Sequence, residues 1–290
     1  MPTPFQHLVY AREILAAPAL PEQIRATLQE ATGPYFLGST AVDVQAITGQ
    51  RRSETHFYRF PPTGNPRAGK AMKLAYPELA NPYALSPERA AFVSGYLVHL
   101  AWDEDWAWDV FGPFYLESGT WPDRLTRSVH HNALRVVQDR EAEVILRASP
   151  KIKAALRRTE PDHWLPFVPD EALRRWRDWI VCQLENPARV QTAQVFAERM
   201  GVSVEHLETV VRAVRTGTYK PPLPGLEEAI ARFEIHAQID SIHALEQYWR
   251  APESEIPFDA SSQYLGAARA GLLTVPVCGS VGVVWGGRPQ

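Results

Sequence analysis

Five residues in the first part of the chain have the chemistry of a metal centre: His7, Asp43, His56, His99 and Asp103. His99 and Asp103 lie four positions apart in a segment that reads as helix, so their side chains project from one face toward a common point. From Ala90 to Trp102 apolar residues surround that helix almost completely, the pattern of a central helix packed on several sides. An unpaired carboxylate in such a setting costs several kcal/mol, so Asp103 requires a cation, a metal or a dense set of donors. Imidazoles and carboxylates together are the ligand inventory of a borderline metal such as zinc. Taken singly, each residue also has an ordinary explanation. His7 fits a surface position, Asp43 a turn or cap, His56 a bond to a backbone carbonyl, and His99 with Asp103 a hydrogen-bonded structural pair.

The elements that must position these groups are predominantly helical. Phe5 to Ala16, with Leu8, Val9, Ile14 and Leu15 on its apolar positions, predicts a first helix carrying His7 in its first turn. A second helix is predicted from Pro21 to Ala31, closed by Gly33 and Pro34, and Tyr35 to Ile47 has loop chemistry around Gly38, Ser39 and Thr40 before it delivers Asp43. The segment RRSETHFYRFPP places His56 between a polar loop and an aromatic patch. Ser86 as N-cap, Pro87 at the first helical position and Glu88 in the first turn start the helix of His99 and Asp103.

Further along, Trp121 to Ala148 predicts a loop and then a long helix ended by Pro150. Lys151 to Arg158 forms a basic helix, and the proline-rich segment after it, in which His163 is structural, marks a boundary. Residues 192–214 have helix-turn-helix spacing at Ala197, Gly201, Leu207 and Val210, with Ser203 as a cap. Glu205 and Glu208 would face phosphates there, so the hairpin is read as packing. A long helix is predicted from Leu226 to Trp249, with Asp240 inside its apolar stripe and His236 and His243 at the edge. Leu272 to Gln290 is read as a short hairpin or a tail. The fold class is therefore all-α, with a helical metal-binding domain at residues 1–150 and a helical C-terminal region at 151–290.

Composition narrows the function. A chain of 290 residues with 45% hydrophobic content buries a large core, and a formal net charge of -3 gives no footprint for a long polyanion, so no specific nucleic acid is expected. Cys182 and Cys278 are far apart, which leaves neither a disulfide framework nor a thiolate zinc site. The N-terminal residues lack the pattern of a signal peptide and no apolar run is long enough to span a bilayer, so a cytoplasmic location is expected. Walker-type loops and Gly-x-Ser-x-Gly elbows do not occur.

The order of motifs is more specific than any one of them. His7 in the first helix, Gly38-Ser39-Thr40-Ala41-x-Asp43, Thr55-His56-Phe57 and Gly95-Tyr96-Leu97-x-His99-x-x-x-Asp103 together resemble the bacterial zinc-dependent phospholipase C family, over roughly the first 110 residues. The resemblance implies a multi-helix bundle with metals in a cleft between helices. It implies that Asp43, His56, His99 and Asp103 hold one zinc, and that Asp103 bridges to a second that His7 also binds. In the family a processed N-terminal residue, usually tryptophan, completes the second site, where this chain has Met1-Pro2-Thr3, and proline is usual at the position of Val42.

The family's remaining ion uses a histidine ten residues beyond the helix histidine, where Asp109 stands here, and a later His-x-x-x-Glu or His-x-x-x-Asp. For that pair the chain offers His131, with Arg135 at the carboxylate position, or His236 with Asp240. A guanidinium at Arg135 would hold the substrate phosphate, with His130, Asn132 and Asp139 as accessories, while Trp102, Trp106 and Tyr96 would line the cleft. The function expected is that of a zinc-dependent phosphoester hydrolase with one to three Zn2+ ions. Asp43 would be both ligand and general base, and the substrate a small phosphoester or a phospholipid-like molecule. A non-catalytic, metal-stabilised binding protein on the same scaffold and a nuclease-type relative are the alternatives.

Overall fold

A computed structural model of the chain describes residues 1–186, 190–218 and 223–250. Helix follows helix: α1 (Pro4–Ala16), α2 (Glu22–Glu30), α3 (Thr32–Ala41), a 3-10 turn at Val42–Val44, α4 (Gln45–Thr48), α5 (Arg52–His56) and α6 (Ala68–Ala75). Then come α7 (Pro87–Trp106), α8 (Arg124–Arg147), α9 (Pro150–Arg157), α10 (Asp170–Glu185), α11 (Thr192–Met200), α12 (Val204–Arg215) and α13 (Leu226–Tyr248). The fold is all-α. Among the described residues the extended pairing is confined to one bridge, Leu165 to Val168, and no helix is long and apolar enough to cross a membrane.

Local chemistry explains where the site-bearing helices begin. Thr3 caps α1 in a capping box with Gln6, followed by Pro4 at the first helical position, which sets His7 at the end of the first turn. Ser86 accepts a hydrogen bond from the Arg89 backbone N–H, and Pro87 follows it, so α7 starts where the sequence predicts. Each such cap contributes about 1 kcal/mol. Beyond Trp106 the chain continues through a π-helical segment, Ala107–Leu116, that contains Pro113.

The largest departure from the sequence reading is at Tyr35–Ile47, where α3 and the 3-10 turn stand in place of a loop, and Gly33 and Pro34 open α3 instead of closing α2. The cause is tertiary. A Cβ on Gly38 would lie 2.0 Å from the Phe92 carbonyl oxygen, and one on Gly95 would lie 2.0 Å from that of Tyr35. These glycines therefore let the backbones of α3 and α7 touch, and Ser39 and Thr40 turn their hydroxyls back onto the carbonyls of Phe36 and Leu37. Pro150, read as the end of the long helix, sits at the first position of α9.

Helices from both sides of residue 150 share one core, which runs from Phe5 through Trp102 and Trp176 to Tyr248. The hairpin of α11 and α12 has its expected cap, Ser203, and packs Phe196, Ala197, Leu207 and Val211 on Val129, Ala133 and Val136 of α8. Packing is thus what that hairpin does here. The stretch Leu272 to Gln290 and Cys278 lie outside the described residues.

Two outcomes follow from this packing. Gly38→Ala should lower the urea midpoint by the equivalent of roughly 1–3 kcal/mol, the cost of overpacking a close helix contact; a variant as stable as the parent would contradict the close approach. Asp139 of α8 is 1% exposed, accepts a 2.6 Å hydrogen bond from the Thr192 hydroxyl, and leaves its other oxygen unpartnered. Burial pushes its carboxyl up to about 6 from an ordinary 3.8. The folded state therefore keeps a proton that the unfolded chain has released, and this stabilisation is lost as pH rises from about 4 through about 6. Asp139→Asn should flatten that part of the stability profile measured by urea unfolding across the window.

Candidate metal centre

Four elements converge on one buried carboxylate. α1 brings His7, the 3-10 turn brings Asp43, α5 brings His56, and α7 brings both His99 and Asp103. His7, His56, His99 and Asp103 are buried, whereas the Asp43 side chain is 22% exposed and so forms the mouth of the site.

Backbone carbonyls decide which ring nitrogens face the centre. Nδ1 of His99 lies 2.8 Å from the Ser39 carbonyl oxygen, and Nδ1 of His56 lies 3.2 Å from that of Arg52. A carbonyl only accepts, so each Nδ1 carries the hydrogen and each Nε2 presents a lone pair. Those lone pairs point at oxygen: His56 Nε2 is 3.2 Å from Asp103 Oδ2 and 3.5 Å from Asp43 Oδ1, and His99 Nε2 is 3.6 Å from Asp103 Oδ2. His7 Nε2 is 3.3 Å from Asp103 Oδ1, with its ring stacked on His99 at 3.5 Å between centroids.

These contacts are close enough for ion pairing but are not aligned as hydrogen bonds. The Nε2 atoms of His7, His56 and His99 and Oδ1 of Asp103 are buried without a hydrogen-bond partner. Two overlapping sets of ligand atoms, His56 with His99 and Asp103, and His7 with Asp43 and His99, each fall within 4.8 Å of one another. Acceptor facing acceptor in a buried space is stable only with a cation or protons between them, and two imidazoles with a carboxylate suit zinc. By the chemistry of its donors, the site fits the metal. A third cluster, Asp162, His163 and Asp170, lies in a more solvent-exposed segment.

The groups of the centre also set the charge of its carboxylates. Burial works to raise the Asp103 carboxyl, but the charges and contacts of His99, His56 and His7 outweigh it and hold it well below the usual carboxylate range. Asp43 is held low in the same way by His56 and His99 against its burial. His7 is pushed down to about 4 by burial and by the charge of His99, so near pH 7 it is neutral, the form that binds a metal.

Other expected site residues lie elsewhere. His131 is outside both ligand sets: its Nε2 accepts a 3.1 Å hydrogen bond from the Trp106 indole, and Phe111 and Tyr115 pack on its ring. With that lone pair used, the geometry does not make it a ligand. Trp106 is fully buried between His131 and Phe233, so it is a core residue instead of a cleft wall. Trp102 is likewise in the core, stacked on Tyr10 at 3.6 Å, and Tyr96 donates a 2.6 Å hydrogen bond to the Thr55 carbonyl, steadying the residue before His56. Asp109, His236 and Asp240 line one pocket with Arg67, away from the centre: His236 is 2.8 Å from Asp109, while Arg67 pairs with Asp240, Glu104 and Asp105.

Arg135 lies over the Phe196 ring, donates to Asn132 at 2.8 Å and keeps its Nε unpartnered. Burial lowers it to about 10 against the opposing charges of Asp43 and Asp103, which places it within electrostatic reach of the centre. The sequence reading missed Arg52, whose Nη2 is 2.6 Å from Asp103 Oδ2. Its only sequence signal is its position one helical turn before His56. The Ser39 carbonyl, which orients His99, has no side-chain signal at all.

Zinc at a hundredfold excess over its Kd should raise the unfolding free energy by about 2.7 kcal/mol. Because the imidazoles must be deprotonated to coordinate, zinc affinity should fall as pH falls and binding should release protons. His99→Ala and His56→Ala should abolish the stabilisation in thermal melts; an unchanged metal stoichiometry in His99→Ala would contradict the site.

Compared with family models, curated proteins and solved structures, the chain has no match, so the chemistry of this centre rests on its own side chains.

Proposed function

We propose that the chain is a zinc-dependent hydrolase of phosphoric esters, built on a helical bundle of the zinc-dependent phospholipase C type. The observation that carries this reading is the convergence of three buried imidazole nitrogens and two carboxylates without hydrogen bonds to satisfy the nitrogens. The motif order of the first part of the chain supports the same class.

Zinc, when bound, supplies a coordinated water with a pKa near 7 and polarises a phosphoryl oxygen. The chain's own groups divide the remaining work. His7, His56, His99 and Asp103 would hold the metal in the interior, their orientation set by Ser39 and Arg52 carbonyls for two of the rings. Asp43, whose side chain is 22% exposed, would take the proton of an attacking water at the mouth. Arg135, which feels the charges of Asp43 and Asp103, would offer a guanidinium to the anionic substrate.

A second reading has one observation in its favour. Arg52 already neutralises Asp103, which fits a scaffold that holds a single structural ion or none. The two readings separate in one assay: two or more zinc ions per chain with turnover of a nitrophenyl phosphate ester is the expected result, and metal-loaded protein inert toward phosphomonoesters, phosphodiesters and single-stranded oligonucleotides overturns it. Asp43→Asn should lower kcat by about 100-fold or more, the usual contribution of a positioned base.

A further inference from the structure

Arg52 does two things at once. Its carbonyl accepts from Nδ1 of His56 one turn later in α5, and its guanidinium reaches back over the centre to Asp103. Nη2 of Arg52 is 2.6 Å from Asp103 Oδ2 and also donates to the Tyr58 hydroxyl at 2.8 Å, with the Tyr58 ring 4.8 Å beneath the guanidinium. Oδ2 is the same oxygen that faces the Nε2 atoms of His56 and His99. A dication among those three atoms and a guanidinium on that oxygen are like charges at contact distance, so they compete for one position.

The guanidinium has somewhere to go. Its side chain is 28% exposed, against 2% for Asp103, so it lies nearer to solvent than the buried carboxylate, with Met1 Sδ also 2.7 Å from its Nη2. Moved outward over the Tyr58 ring, it would present its planar donors at the mouth. That geometry suits two oxygens of a phosphate or similar oxyanion.

We propose that Arg52 is a surrogate cation that neutralises Asp103 until a divalent metal displaces it, and that the displaced guanidinium then binds the substrate's oxyanion. This rests on the metal reading above and assigns the site a second anion-binding arginine, recruited only when metal arrives. Arg52 thereby couples metal loading to substrate binding.

The test compares the full chain with Arg52→Gln, Arg52→Lys and Tyr58→Phe, using zinc against a chromophoric chelator and then inorganic phosphate by calorimetry. Removing the competing cation should tighten zinc binding by about tenfold or more in Arg52→Gln, a difference of about 1.4 kcal/mol. Tyr58→Phe, which only loosens the guanidinium, should shift it the same way by less and guards against a misfolded Arg52→Gln. Phosphate should bind the zinc-loaded parent and not the metal-free parent, and its affinity should fall about tenfold in loaded Arg52→Gln, with Arg52→Lys between. Equal or weaker zinc binding in both Arg52→Gln and Tyr58→Phe, or phosphate affinity independent of Arg52, overturns the role of Arg52 alone. A parent chain that binds no zinc overturns the metal reading itself.

Discussion

Everything around the centre is arranged to keep one carboxylate charged inside a core of helices. Asp103 is 1% exposed, on a helix that also buries Phe92, Tyr96, Leu100 and Trp102. Its charge survives because three imidazoles and a guanidinium surround it, and each of those groups is held by something further out. The capping box of Thr3 and Gln6 places His7, the carbonyls of Arg52 and Ser39 set the tautomers of His56 and His99, and Tyr96 pins the carbonyl before His56. Loss of any support leaves buried polar groups unsatisfied, which costs more than the bond itself contributes.

The contact between α3 and α7 is the backbone equivalent of that support. Ser39 can bring its carbonyl to within 2.8 Å of His99 only because Gly38 and Gly95 remove the side chains that would hold the helices apart. The same contact fixes the position from which the chain turns at Val42–Val44 to deliver Asp43. Helix packing and the geometry of the candidate site are in this sense one constraint.

α7 carries two solutions to the burial of acid, one on each side. On one face Asp103 meets imidazoles whose lone pairs leave room for a cation. On the other, Glu104 and Asp105 meet Arg67, which also pairs with Asp240 of α13. The second arrangement is closed by its own guanidinium and ties α6, α7 and α13 together. That difference in counter-ion separates a structural ion-pair network from a site with ligand capacity.

The sequence by itself determined the helical class, the starts of α1 and α7, and the set of five imidazoles and carboxylates that converge, because caps, periodicity and the chemistry of His and Asp are local properties of residue type. It also carried a false signal: Gly38, Ser39 and Thr40 look like loop residues, yet they are helical because a neighbouring helix needs their small size. Only the tertiary structure decided that His131 is spent on the Trp106 indole, that Trp106 is core, and that Asp109, His236 and Asp240 lie by Arg67 instead of with His7, Asp43, His56, His99 and Asp103. It alone brought Arg52 to Asp103 and the Ser39 carbonyl to His99. Lone-pair direction and charge neutralisation depend on which groups meet across long separations in the chain, and no residue spacing encodes that.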